Sequence, residues 1–201
     1  SFTFATIAPT LKLNLSNTTH SVEGPITINE DTALWLNGSL KTGDSAYTID
    51  LWVDSTHKGT GSSAAINNYT TFATPGTFNV SVNYTASQNY SYGMLSYLVT
   101  VLDITPPTYS AALKVTPVTF STTGQLNFSI NWTDNNNLSG GVSIQVNRSG
   151  TVTVYQASNS TGPLTWNLTL TDFPAGTHYW RSNASDGGGN TNITGWYSFT
   201  I

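Results

Sequence analysis

Cysteine is absent from this 201-residue chain, and charged side chains are scarce. Without cysteine, no disulfide can cross-link the fold and no thiol can act as a nucleophile or a metal ligand. Only 8% of the residues are charged, against roughly 25% in ordinary soluble proteins. The net charge of -4 includes no basic stripe, which argues against nucleic-acid binding. Something other than charge must therefore keep the surface soluble.

The sequence also lacks long apolar runs and helical periodicity. No run of about 18 apolar residues exists, so no segment is expected to cross a membrane as a helix. A charged segment followed by an apolar one is missing at the start, which suggests that Ser1 follows a removed signal peptide. Apolar and polar residues alternate instead, which predicts an all-β fold.

Two tandem β-sandwich domains are predicted from this alternation and from the turns between the alternating segments. The clearest strands are Thr32–Leu40, Ala46–Asp54, Thr77–Thr85, Leu95–Leu102, Tyr109–Val115, Gln125–Thr133, Val142–Asn147, Thr151–Ala157, Leu164–Leu170, His178–Ala184 and Trp196–Ile201. Consecutive prolines at Pro106 and Pro107 mark a linker at 105–108, because proline cannot join a central strand. The prediction is an N-terminal arm at 1–13, an Ig-like domain at 14–104 and a further sandwich at 109–201.

Short motifs refine the prediction for each domain. The second domain carries Asn-Trp-Thr-Asp at 131–134, Pro-Ala-Gly-Thr-His-Tyr-Trp-Arg at 174–181 and Asp-Gly-Gly-Gly-Asn at 186–190. On these motifs it resembles fibronectin type III modules. The strand start Pro-Gly-Thr-Phe-Asn-Val at 75–80 makes the first domain Ig-like. Such motifs indicate the fold and say little about activity.

Asparagine is placed in this chain with an unusual bias. Fifteen of the twenty asparagines begin an Asn-x-Ser/Thr sequon, whereas chance would give about six, since 57 of the 201 residues are Ser or Thr. The predicted N-glycosylation sites are Asn14, Asn17, Asn37, Asn68, Asn79, Asn83, Asn89, Asn127, Asn131, Asn137, Asn147, Asn159, Asn167, Asn183 and Asn192. N-glycans are added to surface segments of secreted proteins. An extracellular, sugar-coated protein is therefore predicted.

Strand alternation predicts which face each acceptor occupies. Val80 and Val82 point to one face of their strand, so Asn79 and Asn83 share the opposite face. The same argument places Asn127, Asn131, Asn167 and Asn183 opposite apolar neighbours. The acceptors are thus expected on the solvent faces of the sheets, where glycans fit and can replace the missing charge.

The N-terminal arm is apolar and has no sequon from Ser1 to Leu13. Phe2 and Phe4 alternate with polar residues, and Pro9 interrupts the pattern before a second alternating segment. One interpretation is that the arm forms the first strand of its own domain. The other is that residues 1–8 leave and complete a sheet in a neighbouring copy, which is donor-strand complementation. Repeated head to tail, such a contact builds a filament.

Taken together, the apolar arm, two sandwiches, dense sequons, few charges and no cysteine make the chain similar to the thread filament subunits of thermoacidophilic crenarchaea. The resemblance implies a non-enzymatic, N-glycosylated surface appendage whose only partners are identical subunits. It assigns the donor strand to residues 1–8, with Phe2, Phe4 and Ile7 as pocket anchors. Either domain could accept the strand, and the first is favoured because the second already has seven predicted strands. Adhesion and biofilm cohesion are the expected roles.

Other chemistry is weakly signalled. Asp134 and Asp186 follow strands whose loops share one end of a fibronectin-like sandwich, so with nearby asparagines they are candidate Ca²⁺ ligands. Apart from this ion and covalent N-glycans, no cofactor is predicted. Lys12 is the candidate for an internal isopeptide bond to Asn or Asp. His178 lies on an apolar strand face, which favours packing over catalysis.

A second function from a different class stays open. Trp35 and Trp52 lie opposite apolar neighbours in their strands, where an aromatic ring could stack on a sugar. A glycan-binding or adhesive Ig-like module of a cell-surface protein would use them in this way.

Overall fold

The computed structural model describes residues 6–62, 65–113, 124–159 and 164–201, with the backbone alone for 111–113. These residues form strands, turns and loops, and the predicted all-β class is confirmed. Among them, no helix is long and apolar enough to cross a membrane. The chain divides into two compact units, here called the first domain (1–102) and the second domain (103–201).

The first domain contains two sheets. One consists of β2 (Ser21–Val22), β1 (Thr10–Ser16), β4 (Thr32–Thr42) and β7 (Ile66–Phe72), in that spatial order. The other consists of β3 (Ile26–Asn29), β9 (Gly93–Leu102), β8 (Gly76–Tyr84), β5 (Ile49–Val53) and β6 (Thr56–Gly61). All neighbours are antiparallel except β3 and β9, which are parallel. This pairing makes a sandwich with a core between the sheets.

Alternation along the strands builds this core. The fully buried members are Leu13, Leu15, Leu34, Leu36, Ile49, Leu51, Val80, Val82, Tyr84 and Val99. On β8, Val80 and Val82 are buried while Asn79 is exposed, as the sequence predicted. Burying a side chain of this size contributes roughly 1.5–3 kcal/mol. The two sheets are therefore held together mainly by their facing aliphatic rows.

The second domain also contains two sheets. One consists of β10 (Thr108–Leu113), β11 (Leu126–Thr133) and β14 (Thr165–Leu170), in that order. The other consists of β13 (Thr151–Gln156), β12 (Gly141–Arg148) and β15 (Thr177–Ser185), and β15 pairs on its far side with β16 (Thr191–Ile193) and then β17 (Tyr197–Thr200). A buried hydrogen bond crosses the sandwich, in which Trp132 Nε1 donates to Ser182 Oγ at 3.0 Å.

The boundaries of the arm and the linker differ from the prediction. β1 begins at Thr10 and pairs with β4 along its whole length, so Leu13 is buried in the sandwich and does not belong to an arm. The segment outside the sheet ends at Pro9. The predicted linker at 105–108 is bound to the second domain, since the buried Pro107 accepts a 2.8 Å hydrogen bond from Asn192 Nδ2. It therefore forms part of that domain.

Candidate functional site

The end of the N-terminal segment lies beside the loop between β8 and β9. The Ile7 N–H donates to the Asn89 carbonyl at 3.0 Å, and the Ile7 carbonyl accepts from the Ser91 N–H at 3.0 Å. The Ile7 side chain is 62% exposed. The other two predicted anchors, Phe2 and Phe4, lie outside the described residues. The backbone at Ile7 is thus fixed while its apolar side chain faces solvent.

Close to this point, two strand edges are open. β8 pairs with β9 along its whole length, but β3 covers the other side of β9 only at Val99–Leu102. Gly93–Leu98 have no partner strand on that side among the described residues. β2 likewise covers the outer edge of β1 only at Leu15 and Ser16. The strands β1 and β9 contact each other without a ladder between them, with Pro9 packed against Gly93, and we call this junction the β1/β9 seam.

The core is incompletely covered along the seam. On the inward face of β9, Val99 and Val101 are 0% and 4% exposed where β3 pairs, whereas Leu95 and Tyr97 are only partly buried where the edge is open. Leu11 on β1 is also only partly buried. The outer face of β9 carries the exposed side chains Met94, Leu98 and Leu102. An added strand with apolar residues on one face would cover Leu95 and Tyr97.

The fifteen sequon asparagines are distributed over both domains, and none is buried. The exposed ones are Asn79, Asn89, Asn127, Asn137 and Asn159. The others are half-buried: Asn14, Asn17, Asn37, Asn68, Asn83, Asn131, Asn147, Asn167, Asn183 and Asn192. Half-burial is normal for the outer face of a sheet, where neighbouring strands flank each side chain. Five acceptors are therefore exposed, and the other ten are partly covered by neighbouring strands or loops.

Asn68 contradicts the predicted outward placement. It alternates with exposed neighbours on β7 and shares the inward face with the buried Ile66 and Phe72. Its Nδ2 donates to the Lys58 carbonyl of β6 at 3.1 Å, and its Oδ1 accepts from Thr70 Oγ1 at 2.8 Å. Asn68 therefore bridges the edges of the two sheets, and its side-chain amide is already engaged in hydrogen bonds.

Asn192 is engaged in a similar way. Its Nδ2 donates to the Pro107 carbonyl at 2.8 Å. The hydroxyl residue of its sequon, Thr194, is 3% exposed and accepts a hydrogen bond from the Ser182 N–H. A glycan on Asn192 would disturb the bond that holds the start of the second domain.

We expect glycopeptide mass spectrometry of the folded native protein to find Asn68 and Asn192 unmodified. A glycan replaces an Nδ2 hydrogen and needs space, which both amides lack in the fold. Asn79 and Asn127 are the matched controls, because both are exposed on strands, and they should be modified. High occupancy of Asn68 would contradict this prediction.

Three carboxylates converge at one end of the second domain. Asp103 opens the domain, Asp134 follows β11 and Asp186 follows β15. One oxygen from each lies within 4.8 Å of an oxygen from the other two. The sequence identified Asp134 and Asp186, and the structure places them together. It missed Asp103, which lay in the predicted first domain.

The hydrogen bonds of these carboxylates are unequal. Asp186 is fully satisfied, because Asn190 donates to Oδ1 from its N–H at 2.8 Å and to Oδ2 from its Nδ2 at 2.9 Å. Asp134 Oδ1 accepts from the Asn136 N–H at 2.9 Å, and Asp103 Oδ1 accepts from the Thr105 N–H at 3.1 Å. The Oδ2 atoms of Asp103 and Asp134 are buried without a hydrogen-bond partner. Two oxygens of the cluster are therefore left unsatisfied.

The environment of Asp134 disfavours its charge. Burial raises the pKa of the Asp134 carboxyl, the Asn136 N–H acts in the opposite direction, and the negative charges of Asp103 and Asp186 raise it further. Among the described residues, no Lys or Arg forms an ion pair with the three carboxylates. The cluster thus concentrates negative charge without a protein counter-charge.

Lys12 pairs with Glu23 across a half-exposed ion pair. This partner is neither of the residue types predicted for an isopeptide bond. The contact is the ordinary one for a strand lysine at the surface, where such pairs contribute little to stability.

His178 packs in the core of the second domain, and His57 lies at the surface of the first. His178 is buried between Phe173 and Phe199, with ring centroids 5.3 and 5.4 Å away. His57 Nε2 lies 3.2 Å from Asp50 and 3.3 Å from Thr60 Oγ1. A catalytic triad uses one ring nitrogen for the carboxylate and the other for the hydroxyl, whereas here both contacts fall on Nε2. This group lacks triad geometry.

The two predicted aromatic platforms differ. Trp35 and Tyr69 are 46% and 57% exposed, with ring centroids 4.8 Å apart. They line a hollow of about 430 Å³ with Asn17, Thr18, Thr32 and Ala33. Trp52 is half-buried and packs against the tilted ring of His57, with ring centroids 4.7 Å apart. Only the first pair presents a broad aromatic surface to solvent.

Comparisons with known proteins bear on the fold alone. No protein-family model matches the sequence, and no curated protein matches it. The structure is similar to the fibronectin(III)-like modules of Clostridium thermocellum CbhA, at a TM-score of 0.39 and 13% identity over 96% of this chain and 94% of that one. It is also similar to the amphioxus IgVJ-C2 molecule, at a TM-score of 0.49 and 16% identity over 88% and 100%. The two units of the chain are each built of two β-sheets that pack as a sandwich.

A third similar structure is SGBP-B from the Bacteroides ovatus mixed-linkage glucan utilization locus, solved with a mixed-linkage heptasaccharide. It has a TM-score of 0.32 and 14% identity over 98% of this chain and 71% of that one.

Proposed function

We propose that the protein is a structural subunit of a heavily N-glycosylated extracellular filament, which polymerises head to tail when the N-terminal strand of one copy inserts into the next. The observation that carries the proposal is the open β1/β9 seam, with partly buried Leu95 and Tyr97, in a protein whose own N-terminal segment is apolar and presents an exposed Ile7. The subunit has no enzymatic role.

The chemistry of the donor and of the seam is complementary. An unpaired strand edge offers backbone N–H and C=O groups that an extended segment can pair with. Ser1 to Phe4 alternate small polar and aromatic side chains, so Phe2 and Phe4 share one apolar face of the strand, whereas Ile7 lies on the opposite face. That face would cover Leu95 and Tyr97, in the way that β3 covers Val99 and Val101 farther along β9.

The distribution of sequons supports the same contact. β9 contains no sequon, whereas β8 beside it contains Asn79 and Asn83. The donor segment has none either. Glycans on the outer faces would shield other strand edges from unwanted pairing and leave the edge of β9 free, whereas β1 carries Asn14 and the loop beside Ile7 carries Asn89.

Such a filament would be an appendage of the cell surface whose partners are identical copies. Head-to-tail contacts of one kind do not close, so they extend without limit. A sugar-coated polymer of this kind suits adhesion and biofilm cohesion.

A disulfide scan can test the contact, since the chain has no cysteine of its own. If Phe2 and Phe4 face inward, Thr3 faces outward, toward the outer face of β9. Three double variants combine Thr3→Cys with Met94→Cys, Ser96→Cys or Leu98→Cys. We expect one of the three to give a ladder of covalent multimers. The measurement is non-reducing gel electrophoresis of oxidised filaments, because only cysteines with Cα atoms within about 7 Å can bridge.

The matched control combines Thr3→Cys with Val154→Cys, which lies on the edge strand β13 of the second domain and is 60% exposed. This double variant should form no covalent multimers on oxidation. If covalent multimers form only in the pair of Thr3→Cys with Val154→Cys, the acceptor lies in the second domain. If filaments are present but no combination gives covalent multimers, strand addition is contradicted.

A second candidate function is glycan binding by the Trp35–Tyr69 pair. The favouring observation is its exposed aromatic surface beside a hollow with polar walls. Asn17 lines the same hollow, so a glycan on this residue would cover the pair and compete with an external sugar. A monomeric adhesive module would bind oligosaccharide through this surface and would not need residues 1–8.

A further inference from the structure

The aspartate cluster of the second domain has features that a purely structural turn would not require. Asp103 is 8% exposed and Asp186 is 4% exposed, so two carboxylates are withdrawn almost completely from water. Burying a charged group is costly unless it is paired or coordinates a metal. Asp186 is satisfied by Asn190, whereas the buried Oδ2 of Asp103 has no partner. That unpaired oxygen belongs to a carboxylate of the cluster.

The spacing of the oxygens fits one large cation. Ca²⁺ binds roughly six to eight oxygens at about 2.3–2.6 Å, so two oxygens on opposite sides of the ion are about 5 Å apart. The oxygens of Asp103, Asp134 and Asp186 lie within 4.8 Å of one another. Mg²⁺ requires a tighter octahedron at about 2.0–2.1 Å and retains its waters. Carboxylates without His or Cys also favour Ca²⁺ over Zn²⁺.

The surrounding loops hold this arrangement in place. The Gly187 N–H donates to the Asn137 carbonyl at 3.2 Å, which joins the loops that carry Asp134 and Asp186. Asn190 Nδ2 donates to the Asp103 carbonyl at 3.2 Å and so fixes the third carboxylate. At Gly188, a Cβ would lie 2.8 Å from Cβ of Asp103, so the loop needs glycine to pack this closely. These contacts hold the three carboxylates close together.

We propose that Asp103, Asp134 and Asp186 form a Ca²⁺ site that ties the start of the second domain to its β11–β12 and β15–β16 loops. The bound ion neutralises the three carboxylates and engages the unpaired oxygens of Asp103 and Asp134. Water supplies the remaining ligands. The site does not depend on whether the protein forms filaments.

The experiment is calorimetric titration of the full chain with Ca²⁺ at pH 7 after chelation and dialysis, together with thermal unfolding. We expect one Ca²⁺ per chain and a higher Tm in 10 mM Ca²⁺ than in chelator. Extracellular Ca²⁺ modules bind with Kd values of about 0.1–1 mM, so the titration must reach about 10 mM. Mg²⁺ should bind at least about tenfold more weakly.

Asp103→Asn and Asp134→Asn should each weaken Ca²⁺ binding at least about tenfold, because fewer charged ligands lower the affinity. The matched control is Asp172→Asn, an exposed aspartate of the same domain, which should leave binding unchanged. Tb³⁺ luminescence is an independent readout of position, because Trp132 and Trp166 line a cavity of about 420 Å³ together with Asp134. Excitation of tryptophan should sensitise Tb³⁺ in the wild type and not in Asp103→Asn.

Absence of both binding heat and a Tm shift in 10 mM Ca²⁺ would overturn the proposal. So would equal binding by the wild type and the Asp103→Asn variant. If Asp103→Asn fails to fold, the Asp134→Asn variant decides, because its Oδ1 contact with the Asn136 N–H survives the substitution.

Discussion

Deletion of residues 1–8 is expected to convert filaments into single subunits. The proposed donor strand lies in this segment, so its removal eliminates the inserted strand from every contact at once. β1 begins at Thr10, and all its pairing with β4 is retained. The Tm of the deletion variant should therefore stay close to that of the wild type. Negative-stain microscopy and light scattering measure the assembly, and thermal unfolding measures the fold.

Substitutions within the arm distinguish strand insertion from an effect of arm length alone. Phe2→Ser with Phe4→Ser keeps the length but removes the apolar face, and it should abolish assembly as well. Thr3→Ser is the matched control and should assemble normally. Long filaments formed by the deletion variant would exclude donor-strand exchange. If that variant still bound oligosaccharide and the native protein formed only compact particles, the glycan-binding function would be favoured.

Much of the architecture can be predicted from the sequence, because apolar and polar residues alternate regularly in the long strands. β4, β8, β11 and β15 all follow it, and their apolar rows are buried where predicted. The environment of His178 also follows from its strand pattern.

Two of the strands that sequence analysis missed, β6 and β7, have a pattern broken by polar residues. β7 points Asn68 and Thr70 inward together with Ile66 and Phe72, so its alternation is hidden. Because the strand itself was missed, the inward placement of Asn68 was missed too. β6 consists of Thr, His, Lys and Gly residues and has no apolar face at all. It forms because β5 offers it an edge.

The aspartate cluster could be predicted from the sequence only in part. Asp134 and Asp186 lie in loops after strands, which a fibronectin-like fold brings to one end. Asp103 precedes the paired prolines and looked like the end of the first domain. Its place in the cluster depends on contacts with Asn190, which is 87 residues away in sequence. No local pattern could have signalled that contact.

Phe128→Ala should be the most destabilising of the changes considered, and its effect should be confined to the second domain. The Phe128 ring is fully buried, with centroids 5.5 Å from Trp180, 5.6 Å from Phe199 and 6.0 Å from Phe173. Truncating a buried Phe to Ala costs about 3–5 kcal/mol, because the cavity only partly collapses. Differential scanning calorimetry should show a large downward shift of one transition.

The two domains have separate cores, so the transition of the first domain should be unchanged by Phe128→Ala. Phe128→Leu is the control, and it should shift the same transition less because it keeps more apolar volume. At a temperature where only the altered domain has unfolded, the arm and the β1/β9 seam of the first domain are intact. Subunits should then still add to one another, and loss of polymerisation under these conditions would contradict an acceptor in the first domain.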